Sequence, residues 1–236
     1  MMGLRNQLNS PSKRSSLVDG LSEWWELGEA AGTNRIGSVN GTVLSPGNSP
    51  VQISGISGNA VRFDGVTQQL TKNVPIPTLT LHQTSYSIAL WVRFLGTVPA
   101  IAKRFIGRDA RWSFKVTDNT SGFEFEYRNL PGPTITSQAF VGLQPITGIW
   151  YFLTWTSDPT RVKTNIGVNG VQQEDLLIGT VDDPNDVVFA MGSDSAFTAP
   201  VNCDIDQFAV WKGRVLSQAD ISYLYNAGAG RAYSVL

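Results

Sequence analysis

The sequence predicts an all-β protein: one large antiparallel two-sheet β-sandwich closed by a short C-terminal helix. Three observations carry this. Short segments with apolar residues at every second position recur along the chain, the period at which side chains share one face of a strand. Turn formers are abundant, with 23 Gly and 12 Pro, and only 16% of the 236 residues are charged, below the usual quarter. A helical spacing of apolar residues appears near the C-terminus. The apolar fraction of 42% supplies a sizeable core, and no internal repeat or second domain is visible.

Residues 1–20 read as a polar arm, with Ser, Asn and Pro, the cations Arg5, Lys13 and Arg14, and no hydrophobic period. The arm has no apolar signal-peptide core, so synthesis in a cytoplasm without classical secretion is expected. The sandwich is expected over 21–230, with 231–236 as a tail. Trp24 and Trp25 are adjacent and face opposite ways on a strand, which leaves one of them exposed or at an interface.

Tyr86, Ile88, Leu90, Val92 and Phe94 alternate, and Ala89, Trp91 and Arg93 fill the other face. That strand is expected to be central and covered on both sides. Trp112, Phe114 and Val116 pair with Tyr127, Phe125 and Phe123 in a hairpin that puts all six on one face, with the loop at Asp118-Asn119-Thr120-Ser121. The same register sets Lys115 opposite Glu124.

Trp150 to Thr156 is a strand apolar on both faces. Thr164 to Val168 follows, and Asn169-Gly170 is the strongest hairpin turn in the chain. Asp182-Asp183-Pro184-Asn185-Asp186 reads as a surface loop. A last strand runs from Ile205 to Trp211. Ser217 and Asp220 then form a capping-box start to a helix whose buried stripe is Ile221, Leu224 and Tyr225, stopped at Asn226-Ala227-Gly228.

Charge and composition exclude several functions. The formal net charge is −1, which gives no electrostatic case for nucleic acid or an anionic membrane. One cysteine, Cys203, and one histidine, His82, cannot make an intrachain disulfide or a Cys/His zinc site. Cys203 reads as a buried structural thiol and His82 as a loop residue. No apolar run reaches the length of a membrane helix. Glycoside hydrolysis needs two placed carboxylates. The nearest candidates are Glu124-Phe125-Glu126 and Asp204-Ile205-Asp206, and the better reading of the first is a solvated strand face with a lysine partner.

Five segments in this order resemble the concanavalin A-like lectin/glucanase superfamily, in its laminin-G-like jelly-roll branch. Trp24-Trp25-Glu26-Leu27-Gly28-Glu29-Ala30-Ala31-Gly32 is similar to the opening strand and turn, and Phe63-Asp64-Gly65 to the hairpin after the second strand. Ser87 to Val92 resembles the strand ending in Trp-Val, and Trp150-Tyr151-Phe152 with Val168-Asn169-Gly170 the paired strands that follow. Ile205-Asp206 through Asn226-Ala227-Gly228 resembles the closing strand and helix. The resemblance covers about 21–230 and implies a jelly roll.

It implies binding more than catalysis, because the acidic triad of the glucanase branch is incomplete here; no enzyme is expected. Relatives of the fold hold Ca²⁺ at a rim, so calcium is the implied cofactor class. Glu26, Glu29, Asp64, Asp204 and Asp206 are the implied candidate metal ligands, with Asp182, Asp183 and Asp186 as a loop cluster. The competing reading is that these carboxylates bond turns and caps.

Two functions follow. The first is a structural protein of a bacteriophage virion, a capsid decoration or tail accessory, made in the host cytoplasm and docked on capsid or tail proteins through its arm as a homo-oligomer on the particle. The second is a carbohydrate-binding lectin or adhesin module, extracellular or at a cell surface. A glycoside hydrolase or lyase is a remote third.

Overall fold

The computed structural model describes residues 17–108, 111–117, 122–130, 134–176, 180–183, 188–194 and 198–236. Among them are seventeen strands and one α-helix. The strands are β1 (Leu21–Trp25), β2 (Arg35–Ile36), β3 (Val43–Gly47), β4 (Val51–Ser54), β5 (Asn59–Asp64), β6 (Gln69–Lys72), β7 (Tyr86–Phe94), β8 (Lys103–Arg108) and β9 (Trp112–Val116). They continue with β10 (Phe123–Leu130), β11 (Ile135–Phe140), β12 (Trp150–Asp158), β13 (Lys163–Val168), β14 (Val171–Leu176), β15 (Thr180–Val181), β16 (Phe189–Met191) and β17 (Asn202–Lys212). Helix α1 is Gln218–Tyr225. No helix among the described residues is long and apolar enough to cross a membrane.

Two antiparallel sheets form the predicted sandwich. The first runs β14-β13-β12-β7-β17-β5-β4, with β1 also on β17. The second runs β11-β10-β9-β8-β16-β6-β3-β2, with β15 on β10. Between them lies one aromatic-rich core that includes Trp25, Phe63, Phe94, Trp112, Phe125 and Trp155. β7 is the central strand expected: it pairs with β12 and β17, and eight of its nine residues are buried.

The predicted hairpin register is observed, with Val116 opposite Phe123, Phe114 opposite Phe125, and Trp112 opposite Tyr127. Lys115 Nζ lies 3.2 Å from Glu124 Oε2. The loop proposed for that hairpin, 118–121, lies outside the described residues.

On the side of β17 away from β7, two strands share its length. β5 pairs with its first half, at 202–205, and β1 with its second half, at 208–211. The neighbour changes over at a bulge between Asp206 and Ala209, where Gln207 takes a positive φ of 51°. A bulge bends the strand and re-aims its side chains.

A second, smaller apolar cluster covers the outer face of the first sheet. It holds Trp24, Trp91, Phe152 and Trp211, with Ile221 and Leu224 of α1. The capping box at Ser217 and Asp220 is present, and Tyr225 stacks on Trp91 with ring centroids 5.8 Å apart. Leu17 and Leu236 are also buried in this cluster, and Trp211 Nε1 donates to the Leu17 carbonyl at 2.8 Å. The folded unit therefore reaches back into the segment read as arm and forward through the segment read as tail.

The structure corrects three further expectations. Trp24 is neither exposed nor at an interface, because Trp211 packs on it edge-on at 6.2 Å and Tyr233 at 6.3 Å. Trp150, first in the strand read as apolar on both faces, is half-buried beneath the Arg93 guanidinium. Asp183, read as part of a surface loop, is fully buried. It pairs with buried Arg108 at 2.9 Å and accepts from Leu81 N and Trp112 Nε1. Residues 184–187 of that loop lie outside the described residues.

Candidate functional site

The five carboxylates read as calcium ligands are each engaged by the protein's own donors. Glu26 accepts from the Tyr233 N–H at 2.6 Å, and burial raises its pKa. Glu29 accepts from Ile36 N and lies 3.6 Å from Arg35 Nε. Asp64 caps its own turn, accepting from the backbone of Val66, Thr67 and Gln68 and from the Thr67 hydroxyl. Against the desolvation that would raise it, those bonds hold Asp64 at about 2. Asp204 is fully buried between Arg62 and Arg93. Asp206 accepts from Ile56 N at 2.7 Å and Ser57 N at 3.3 Å.

The arrangement is that of turn, bulge and ion-pair carboxylates. Among the described residues no group of three or more His, Cys, Asp or Glu side chains converges to hold a metal. Glu26 and Asp206 are close enough for Glu26 to raise the Asp206 pKa, but two acids fall short of the six to eight oxygens calcium takes.

The hydrolase candidates are likewise engaged. Glu126 bonds Arg104 and the Ser113 hydroxyl, with Lys115 at 3.4 Å. These partners outweigh desolvation and lower its pKa. Glu124 is bonded to Lys115. Cys203 is buried, and desolvation pushes its thiol well up. His82 lies in a loop, where its Nδ1 accepts from Asp183 N at 3.3 Å.

A recess of about 500 Å³ opens at the end of the sandwich where β1 and β3 begin and β6 ends. Its walls include Ser22, Asn40, Thr42, Lys72, Pro75 and Thr78. The 37–42 loop that forms one wall is organised by Glu23, a fully buried residue. The Glu23 carboxylate accepts backbone N–H groups from Trp24, Val39, Asn40 and Thr42. A carboxylate collecting several backbone donors in this way fixes a loop rigidly. Gly37 is required beneath it, since a Cβ there would lie 2.1 Å from the Glu23 carboxyl carbon.

The polar part of the lining is hydroxyl, amide and ammonium, beside the apolar Val43 and Ile76. Thr42 and Thr78 hydroxyls bond each other at 3.0 Å, Ser22 Oγ donates to the Thr78 carbonyl, and Asn40 Nδ2 donates to the Ser22 carbonyl. These bonds leave the Asn40 amide oxygen and hydroxyl lone pairs for a ligand. Pro75 and Pro77 supply apolar ring surface.

A second recess of about 430 Å³ lies at the opposite end, between Phe94, Pro99, Ile101, Lys103, Pro200 and Asn202. Glu23 was not legible as functional in the sequence. Its only signal was an acid among strand aromatics, followed by a turn-rich Gly-Ser-Val-Asn-Gly run at 37–41 that could demand a shared acceptor.

With fold and recesses defined, the chain belongs to the concanavalin A-like lectin/glucanases superfamily, whose description matches residues 64–222. No curated protein sequence matches it. Solved structures share the fold. The binding domain of Paraclostridial Mosquitocidal Protein 1 matches with a TM-score of 0.69 at 14% identity, over 90% of this chain and 53% of that one. Domain 4 of an extracellular arabinanase from Geobacillus stearothermophilus, solved with arabinotriose, matches at 0.64 and 16%, over 89% and 98%. The binding domain of botulinum neurotoxin serotype G matches at 0.66 and 15%, over 88% and 51%. This chain thus spans about half of each toxin domain and nearly all of the arabinanase domain.

Proposed function

We propose that this chain is a non-catalytic binding domain that takes a saccharide in the recess walled by the Glu23-organised loop. The observation that carries this is the lining itself. It offers hydroxyls, an amide oxygen and one ammonium, with proline rings beside them, and no carboxylate. Sugar hydroxyls need paired donors and acceptors, and their C–H faces need apolar surface. Glycoside hydrolysis would need two carboxylates there. The superfamily and the arabinotriose-bound relative support the reading.

The test is a glycan array that includes arabino-oligosaccharides, followed by titration of the best ligand against Lys72→Ala and Asn40→Ala. Affinity falls about tenfold in each variant, the size of one hydrogen bond to a charged or well-placed polar group. Unchanged affinity in both variants overturns the assignment.

The finer reading is display on a phage particle as a capsid decoration or tail accessory, with the polar N-terminal arm docking on capsid or tail proteins. It is favoured by the way residue 17 anchors that segment: Leu17 is buried and its carbonyl accepts from Trp211. A pull on the arm would be transmitted straight into the sandwich. Co-purification with particles, lost when residues 1–16 are removed, checks this.

A further inference from the structure

Helix α1, Leu17 and Leu236 pack on the outer face of the first sheet with Trp211, Trp91 and Phe152, and Trp150 of the next rung packs against this cluster. On that rung, register places five residues side by side. Val51 lies opposite Arg62, Arg62 opposite Asp204, Asp204 opposite Arg93, and Arg93 opposite Trp150. Four inter-strand steps make this row about 19 Å long.

Asp204 has no exposed surface, yet it holds two guanidinium groups. Arg62 reaches it side-on, Nε to Oδ1 at 2.7 Å and Nη2 to Oδ2 at 3.1 Å. Arg93 meets Oδ2 through Nε at 2.8 Å and Nη2 at 2.7 Å. The Arg62 side chain is 40% exposed and that of Arg93 24%. Arg93 also lies over the Trp150 ring, 4.7 Å from its centroid.

One arginine would neutralise one buried aspartate. A second leaves the trio with a net positive charge, and each fork keeps its Nη1 amino group facing away from Asp204. The nearest acid along β5 on this face is Asp64, whose oxygens are taken up by its own turn. The shared anchor removes most of the rotamer freedom that an exposed arginine would otherwise lose on binding. Planar forks held this way match the geometry of a carboxylate.

We propose that Arg62 and Arg93, fixed by Asp204, form a second ligand site that binds the carboxylate of an acidic saccharide of the hexuronate class. Trp150 and Val51 frame the sugar chain at the two ends of the row. The site lies apart from the Glu23-walled recess and stands or falls separately.

Calorimetry with trigalacturonate, its methyl ester and a glucuronate-containing hyaluronan hexasaccharide tests this on the full chain. At least one charged oligosaccharide binds, and for trigalacturonate the methyl ester, which removes only the charge, binds at least tenfold more weakly. Arg62→Gln lowers affinity for the charged ligand at least tenfold while Arg93 still neutralises Asp204, so the fold survives. Lys72→Ala leaves this affinity unchanged. Arg62→Lys serves as the second variant, keeping charge without the fork, and loses affinity as well. Failure of both charged oligosaccharides to bind, equal binding of the ester, or full affinity in Arg62→Gln overturns the proposal. A matching loss in Lys72→Ala would move the ligand to the recess and overturn it too.

Discussion

At the scale of single residues, the buried acids set the pH response. Burial raises Asp206 to about 7, opposed by the Ile56 and Ser57 N–H groups and aided by Glu26. Burial likewise raises Asp183 to about 6 against the pull of Arg108. A carboxyl raised from its ordinary value of 3.8 binds its proton more tightly folded than unfolded. Its contribution is therefore fully present below pH 4 and is lost as pH rises through its folded value. For Asp206 the full shift is worth at most about 4 kcal/mol. Asp64 works the other way, and its contribution is lost as pH falls from about 4 towards 2. The domain is thus expected to be more stable at pH 5 than at pH 8. Guanidinium melts of wild type and Asp206→Asn at the two pH values check this, and the variant should lose most of the difference. An unchanged difference would exclude Asp206 as its source.

The same residue scale shows what the sequence concealed. Asp204 and Asp206 were visible as acids in a strand, and resemblance suggested a metal. Their partners lie far away in the chain: Arg62 and Arg93 for Asp204, and Ile56 for Asp206. Sequence spacing does not reveal contacts between strands that no hairpin joins, such as β5 or β7 with β17. Arg93 did carry a signal, since an arginine among the apolar residues of a central strand demands an acceptor.

At the scale of elements, local patterns were decisive. The Trp112–Tyr127 hairpin was legible because alternation fixes the face and a one-residue slip would expose every aromatic. Helix α1 was legible from its cap and stripe, although Tyr225 is packed against the cluster rather than fully buried. Its N-terminus depends on reciprocal bonds: Ser217 Oγ accepts from Asp220 N at 3.2 Å, and the Asp220 carboxylate accepts from Ser217 N at 3.0 Å. Asp220 also pairs with Arg214 at 3.1 Å, tying the helix to the end of β17. Ser217→Ala should therefore destabilise the domain by about 1 kcal/mol, measured as a lower denaturation midpoint with an unchanged slope. A shift of the slope as well would mean that α1 detaches before the sandwich unfolds.

At the scale of the whole molecule, Leu17 and Leu236 meet on one face and complete the outer cluster. The sequence placed a boundary at residue 21 because nothing before it has a hydrophobic period. A single leucine cannot make a period, but it can fill a site. Leu17 is buried beside Trp211 and its carbonyl satisfies the indole N–H. Arg214 Nη1 bonds the Asp19 carbonyl, and Lys212 N bonds that of Gly20. Two truncations that differ only in residues 17–20 separate anchor from arm. Removing 1–20 should leave the protein less stable than removing 1–16 by about 3 kcal/mol, the cost of an emptied leucine site, with an indole donor left unpaired. Paired thermal melts of the two truncations read this directly. Equal stability would mean that Trp211 finds another acceptor and that the outer cluster closes without the N-terminal segment, leaving α1 and Leu236 to hold that face alone.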